Sequence, residues 1–290
     1  MTGPGRLGRP LLEALHRRGV GGSVLHRRAA ATLPPGWRFI SADVTRPESL
    51  AGACADCEHV LHLAAVTHSN RSGEYERVNA GGTMNLIAEA RRAGVRRFTL
   101  VSTRAISPAG GAYSLSKLHA EAMVRASGLE WNILRPAEVY GAGGEGIAAL
   151  IERCRAGRCV PIVGDGSARL APIHLEDAVE GICRALALTA SGRVIELAGP
   201  EEMTYLKLVH RLAKYFGTRP RTLHVPAALL HLTALALAPL PIKKPPIYVD
   251  QVSRLLSPKS YDPESARSHL GLTCRPLEAG LGAPVGAREG

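Results

Sequence analysis

The sequence predicts an α/β fold: a doubly wound parallel sheet in the first half of the chain, followed by a smaller mixed α/β lobe. Three observations lead there. Apolar runs of strand length alternate with amphipathic helical segments through the first two thirds of the 290 residues, the rhythm of β-α-β units. The strand-like runs are solidly apolar, as strands covered on both faces are. A glycine-spaced loop, Gly3-x-Gly5-x-x-Gly8, stands at the head of the first helix.

Taken in order, residues 9–18 read as an amphipathic helix, 23–25 and 38–40 as short strands, and 59–63 as a strand ending in small residues. Residues 79–93 have helical spacing closed by Gly94, 98–101 read as a strand, 113–126 as a helix closed by Gly128, and 131–134 as a strand ended by Pro136. Beyond Gly141 the rhythm changes. Helices are expected over 147–156, 175–187 and 204–216, with a strand at 194–197 and a Pro-rich break at 239–246. The expected division is a dinucleotide-binding domain over 1–140, which takes back some later segments, and a substrate lobe over 141–290.

Composition narrows the function classes. The net charge is +11, yet the basic pairs are scattered, with no long run and no interleaved aromatics. That argues against nucleic acid and suits an anionic small molecule. Cys54-x-x-Cys57 lacks a second pair, so no metal site is expected. No secretory signal is read, and free thiols suit a reducing compartment, so a cytoplasmic location is expected. The most apolar stretch, residues 227–240, is too short for a stable span. A buried helix is the expectation, with peripheral contact at a membrane surface as the alternative.

Glycines let the backbone turn tightly and approach a pyrophosphate seated at a helix N-terminus. Gly3, Gly5, Leu7 and Gly8 are therefore the candidate phosphate cradle of a Rossmann-like fold. A strand normally feeds such a loop, and none is read before Gly3. This predicts either a truncated start or a protein that binds its cofactor poorly. The cofactor's 2′ position is read about 20 residues beyond the loop. Arg27 and Arg28 stand there, and a guanidinium pairs with a 2′-phosphate; NADP is expected in preference to NAD. Asp43 is a candidate for the adenine amino group, with a turn role as its alternative.

Tyr113-Ser-Leu-Ser-Lys117 opens a predicted helix, and a spacing of four puts both side chains on one face. A free phenol titrates near pH 10 and is a weak base at neutrality. A nearby ammonium would favour the phenolate. Thr103, at the end of the preceding strand, supplies a hydroxyl to share the substrate's proton.

With those pieces in place the chain resembles an extended short-chain dehydrogenase/reductase of the NAD-dependent epimerase/dehydratase type, from the glycine loop to about Gly280. The matching pieces are Gly3-Pro-Gly-Arg-Leu-Gly8, His62-Leu-Ala-Ala65, Val78-Asn79 with Gly82-Thr83, Val101-Ser-Thr103, Tyr113-Ser-Leu-Ser-Lys117, Leu134-Arg-Pro136 with Val139-Tyr-Gly141, and Ile173-His-Leu-Glu-Asp177. The resemblance implies Tyr113 as acid/base, Lys117 as its electrostatic partner and Thr103, or more weakly Ser102, as the hydroxyl on the reacting oxygen. It implies Leu63, Ala64 and Ala65 under the cofactor, Pro136 and Val139 beside the nicotinamide, Asn79 as a structural residue, and Arg169 and Asp177 in the substrate lobe. Asp177 reads equally as a capping or packing carboxylate. It also implies an NAD(P)-dependent epimerase or reductase, its first expected substrate a nucleotide sugar. The alternatives are an oxidoreductase of the 3β-hydroxysteroid-dehydrogenase kind on a lipophilic alcohol or ketone, and a non-catalytic NADP(H)-binding subunit. Arg104 and Ala105 stand where a dehydratase of this kind has acids, which lowers that reading. Such proteins often pair through helices of the nucleotide domain, so a homodimer is one expectation.

Overall fold

The computed structural model describes all residues except 4, 28–32, 72, 142–145, 241, 243–244 and 283–290. Helix α1 (Gly8–Arg17) leads to β1 (Gly22–His26), β2 (Trp37–Ser41), α2 (Pro47–Leu50) and β3 (His59–His62). A π-helical turn (Glu76–Gly81) runs into α3 (Gly82–Arg92), followed by β4 (Arg97–Val101), α4 (Gly111–Arg125) and β5 (Glu130–Pro136). Next come β6 (Val139–Tyr140), α5 (Ile147–Arg155), β7 (Val160–Val163), β8 (Arg169–Leu170), β9 (Ile173–His174) and α6 (Leu175–Ala187). Strands β10 (Arg193–Leu197) and β11 (Met203–Thr204), α7 (Tyr205–Phe216) and β12 (Thr222–Val225) precede α8 (Ala227–Leu237), α9 (Val249–Leu256), α10 (Ser265–Leu270) and α11 (Leu277–Gly282).

The main sheet is parallel. Strands run β10-β5-β4-β3 on one side, and β1 pairs with β2 on the other. No named strand precedes the glycine loop, but Met1 and Thr2 hold the place between the two halves. Thr2 forms parallel bridges to Leu25 of β1 and to His62 of β3. Its amide donates to Leu61 O at 3.0 Å, and Leu25 N donates to Met1 O at 2.8 Å. The Thr2 hydroxyl also accepts from Leu63 N and Ala64 N, at 3.2 and 3.1 Å, and so fixes the glycine loop to the end of β3.

The period of two along each strand divides the core. Leu61, Val101, Leu134, Ile195 and Leu197 face α1 and α6 in one cluster. Leu25, Val60, Phe98, Leu100 and Ile133 face α3 and α4 in another. Late segments join the first sheet and its cover: β10 pairs with β5, and Ala266 and Leu270 of α10 join the α1–α6 face. A third cluster, centred on Leu150, Cys154, Ile162, Leu208 and Leu212, is the core of the second lobe.

One buried ionic knot ties α4 to the sheet. Glu121 accepts from Arg135 Nε and Nη2 at 2.9 and 2.7 Å, from Arg125 Nη2 at 2.9 Å and from Ser102 Oγ at 2.7 Å. Burial raises the carboxyl's pKa, but these donors together hold it below the usual carboxylate range.

Two expectations change. Residues 227–240 are not a buried helix: within α8 only Ala234 is buried, while Leu229, Leu232 and Leu235 are 55%, 63% and 47% exposed. The helix is apolar on every side, and only the side toward α9 finds cover, so hydropathy alone misplaces the rest. Helices α9, α10 and α11 were not anticipated; at eight, six and six residues they are too short to give a clear period.

Candidate active site

A cavity of about 800 Å³ opens at the carboxyl ends of β3, β4 and β5, between the sheet and the second lobe. Ligands of open α/β sheets bind in this crevice.

The glycine loop forms one end. Gly3 has φ +74°, and a Cβ there would sit 2.8 Å from Ala64 N. A Cβ on Gly8 would collide with the Gly3 carbonyl oxygen, whereas one on Gly5 would meet nothing within 4 Å. The loop is thus packed tightly behind and open in front, where Gly5 lines the cavity. Helix α1 begins there with no side-chain cap, which leaves its first amides for an anion. This cradle fits a pyrophosphate. Leu7, Gly8, Leu63 and Ala65 also line the cavity, as do Pro136 and Val139 on the far side. Ala64 contributes its backbone behind Gly3.

Arg27 is exposed just past β1, and Arg28 lies outside the described residues. Asp43 Oδ1 accepts from Thr45 N and Oγ1 at 2.9 and 2.8 Å, closing a turn. Burial raises its pKa, but the Thr45 bonds and the charges of Arg27 and Arg46 carry it below the ordinary value.

The structure brings Thr103, Tyr113 and Lys117 into the same wall. The Thr103 side chain stands by the Tyr113 phenol and opposes the rise in its pKa. Lys117 Nζ donates to Val101 O at 3.0 Å, and burial, opposed by Glu121, lowers its pKa to about 8. Ser102 turns away from this chemistry, because its hydroxyl donates to Glu121. Asn79, in the π-helical turn, accepts from Val66 N at 2.8 Å and donates to Ser116 Oγ at 3.0 Å, the structural role expected of it.

The electrostatics of the phenol differ from the expectation. Burial drives the Tyr113 pKa upward, and the charge opposing that rise most strongly is Arg254 of α9, followed by the Thr103 side chain; Asp250 adds to the rise. The Arg254 guanidinium carbon lies 4.6 Å from the centre of the Tyr113 ring, within cation–π range. Arg254 is held by Thr67 O, at 3.0 Å from Nη1. Tyr75 packs edge-on against the same ring, with centroids 5.8 Å apart, and donates to Asp250 Oδ1 at 2.8 Å.

The remainder of the cavity wall is largely aliphatic, with Ile147, Leu150, Val163, Leu170, Ile247 and Leu255. Among these stand the polar side chains of Thr67, His68, Arg104, Glu138, Gln251 and Lys259. Arg104 is buried, donates to Ser260 O at 2.9 Å and to Glu202 Oε1 at 2.6 Å, and lies 3.8 Å from Glu138. Arg169 is not in the wall; its exposed side chain pairs with Glu202 at 3.2 Å. Asp177 accepts from Arg275 N and Nε at 2.9 and 3.0 Å, a packing carboxylate outside the cavity. Sequence reasoning missed Glu138, which falls between the two quoted pieces that end at Pro136 and begin at Val139. Arg254 and Lys259 carried no signal, because no helix was expected around them.

The sequence profile of the NAD dependent epimerase/dehydratase family matches residues 1–198. The chain is 26% identical over 286 residues to 3beta-hydroxysteroid-dehydrogenase/decarboxylase isoform 1 of Arabidopsis thaliana, which covers 84% of this chain and 65% of that protein. It is 28% identical over 224 residues to a dTDP-glucose 4,6-dehydratase of Actinoplanes sp., covering 69% of this chain and 70% of the other. The solved structure of MoeE5 in complex with UDP-glucose and NAD matches with a TM-score of 0.74 at 24% identity, over 98% of this chain and 96% of that one.

Proposed function

The chain belongs to the NAD dependent epimerase/dehydratase family, and from that premise we propose that it exchanges hydride between a nicotinamide dinucleotide and the carbinol carbon of a largely apolar alcohol or ketone. The observation that carries the chemistry is the gathering of Thr103, Tyr113 and Lys117 in one cavity wall. The observation that favours an apolar substrate is the aliphatic wall beyond it.

Gly3, Gly5, Leu7 and Gly8 would hold the pyrophosphate, with Leu63, Ala64 and Ala65 below it, Lys117 at the ribose, and Pro136 and Val139 beside the nicotinamide. Arg27 follows β1 at the position that meets a 2′-phosphate, which favours NADP over NAD. When bound, the nicotinamide supplies the hydride donor or acceptor. The chain's own residues handle the oxygen. In the reducing direction the Thr103 hydroxyl orients the carbonyl oxygen, and Tyr113 gives it the phenolic proton. In the oxidising direction Tyr113 must first be ionised, and Arg254 over its ring eases that step. Burial favours the protonated phenol, the form that gives its proton to a carbonyl oxygen.

A nucleotide sugar is the second reading. Arg254 and Lys259 in the wall suit an anionic substrate, and a structural neighbour was solved with UDP-glucose. A substrate screen followed by NADPH and NADH absorbance separates the two. Turnover of sterol-like or prenylated ketones supports the first reading; turnover of UDP- or dTDP-sugars alone replaces it. NADPH binding with no turnover of either class indicates a non-catalytic subunit.

A further inference from the structure

Six of the eleven large apolar side chains exposed among the described residues are Leu223, Leu229, Leu232, Leu235, Leu240 and Ile242, in or beside α8. A soluble surface normally scatters such residues singly. The stretch that carries them is one-sided in sequence: residues 203–249 contain no Asp or Glu and seven Lys or Arg, of which Arg211 is paired with Glu201 and Glu278. Of these, Arg219 and Arg221 are exposed and directly precede β12, which carries Leu223.

We propose that α8, with its flanking leucines, is a docking face for the surface of an anionic lipid bilayer. The occupant is chosen on two grounds. Helix α8 meets the rest of the chain chiefly at α9 and leaves Leu229, Leu232 and Leu235 exposed, apolar surface that an acyl boundary can take up. A stretch rich in cations and free of acids complements anionic headgroups. No helix among the described residues is long and apolar enough to cross a membrane, so the contact is interfacial: leucines at the acyl boundary, cations at the headgroups. Helix α9, on which α8 rests, lines the cavity through Val252, Arg254 and Leu255, so the docked face lies behind the wall of the candidate active site. The docking stands apart from the substrate reading, because its test measures binding and not turnover.

The test is co-sedimentation of the full chain with vesicles of phosphatidylcholine alone and of phosphatidylcholine and phosphatidylglycerol in equal parts. The expected result is binding to the anionic vesicles, at least about tenfold weaker to the neutral ones and weakened by high salt. Leu229→Ser/Leu232→Ser/Leu235→Ser should reduce that binding about tenfold or more with the circular dichroism unchanged, and Arg219→Glu/Arg221→Glu should reduce it without touching the leucines. Absence of vesicle binding overturns the proposal, as does binding that the leucine variant leaves intact. So does a dimer that the leucine variant splits in a protein that ignores vesicles, since a second copy would then be the occupant.

Discussion

At the scale of single residues, the candidate site is a buried phenol with two cations of different standing. Lys117 and Tyr113 were legible because they share a local motif, and Thr103 because it ends the strand before it. Arg254 was not, because it reaches the phenol from 141 positions away in sequence and only tertiary packing brings it there. The two cations give different predictions. Arg254→Met removes the charge that most opposes the rise in the Tyr113 pKa. The pH profile of alcohol oxidation should therefore shift to higher pH, and Arg254→Lys should partly restore it; an unchanged profile would show that Arg254 only packs. Lys117 has a folded pKa of about 8 against an ordinary 10.5. Its burial therefore costs stability at pH values below about 8, and the cost fades as pH rises from there toward 10.5. Lys117→Met should raise the unfolding free energy near pH 7 by about 1–2 kcal/mol after loss of the Val101 bond. The gain should shrink near pH 10, as read by urea titration at both pH values.

At the scale of elements, α1, α3, α4 and the sheet strands followed from their periods and their glycine stops. What sequence could not show was how an element's ends are held. Glu121 ties α4 to β5 through Arg135 and to the residue after β4 through Ser102. Glu121→Ala would leave Arg135 without its carboxylate beside the core, and should cost about 3–5 kcal/mol in chemical denaturation. The glycine loop is equally constrained. Gly8→Ala forces a methyl against Gly3 O, and NADPH affinity, followed by fluorescence titration, should fall about tenfold or more while the sheet remains folded. Helix α8 was misplaced for a physical reason: high hydropathy measures the tendency to leave water, and it does not say whether the refuge lies inside the chain.

At the scale of the whole molecule, the doubly wound sheet was legible from the β-α-β order, whereas α10, at six residues, was too short to show a period. The central slot was not legible, because a single bridging residue, Thr2, is too short to leave a strand signature and is recognised only by its two neighbours. The cavity lies where the two lobes meet, so its aliphatic lining belongs to no single segment and could not be read from any motif. The glycine loop and the phenol reach this one crevice from opposite ends of the first 120 residues, and that convergence is the central claim. Tyr113→Phe tests it most directly, with carbonyl reduction and NADPH binding measured on the same preparation. The account predicts turnover lowered about 10²–10⁴-fold with NADPH affinity unchanged; full turnover in the variant would contradict it.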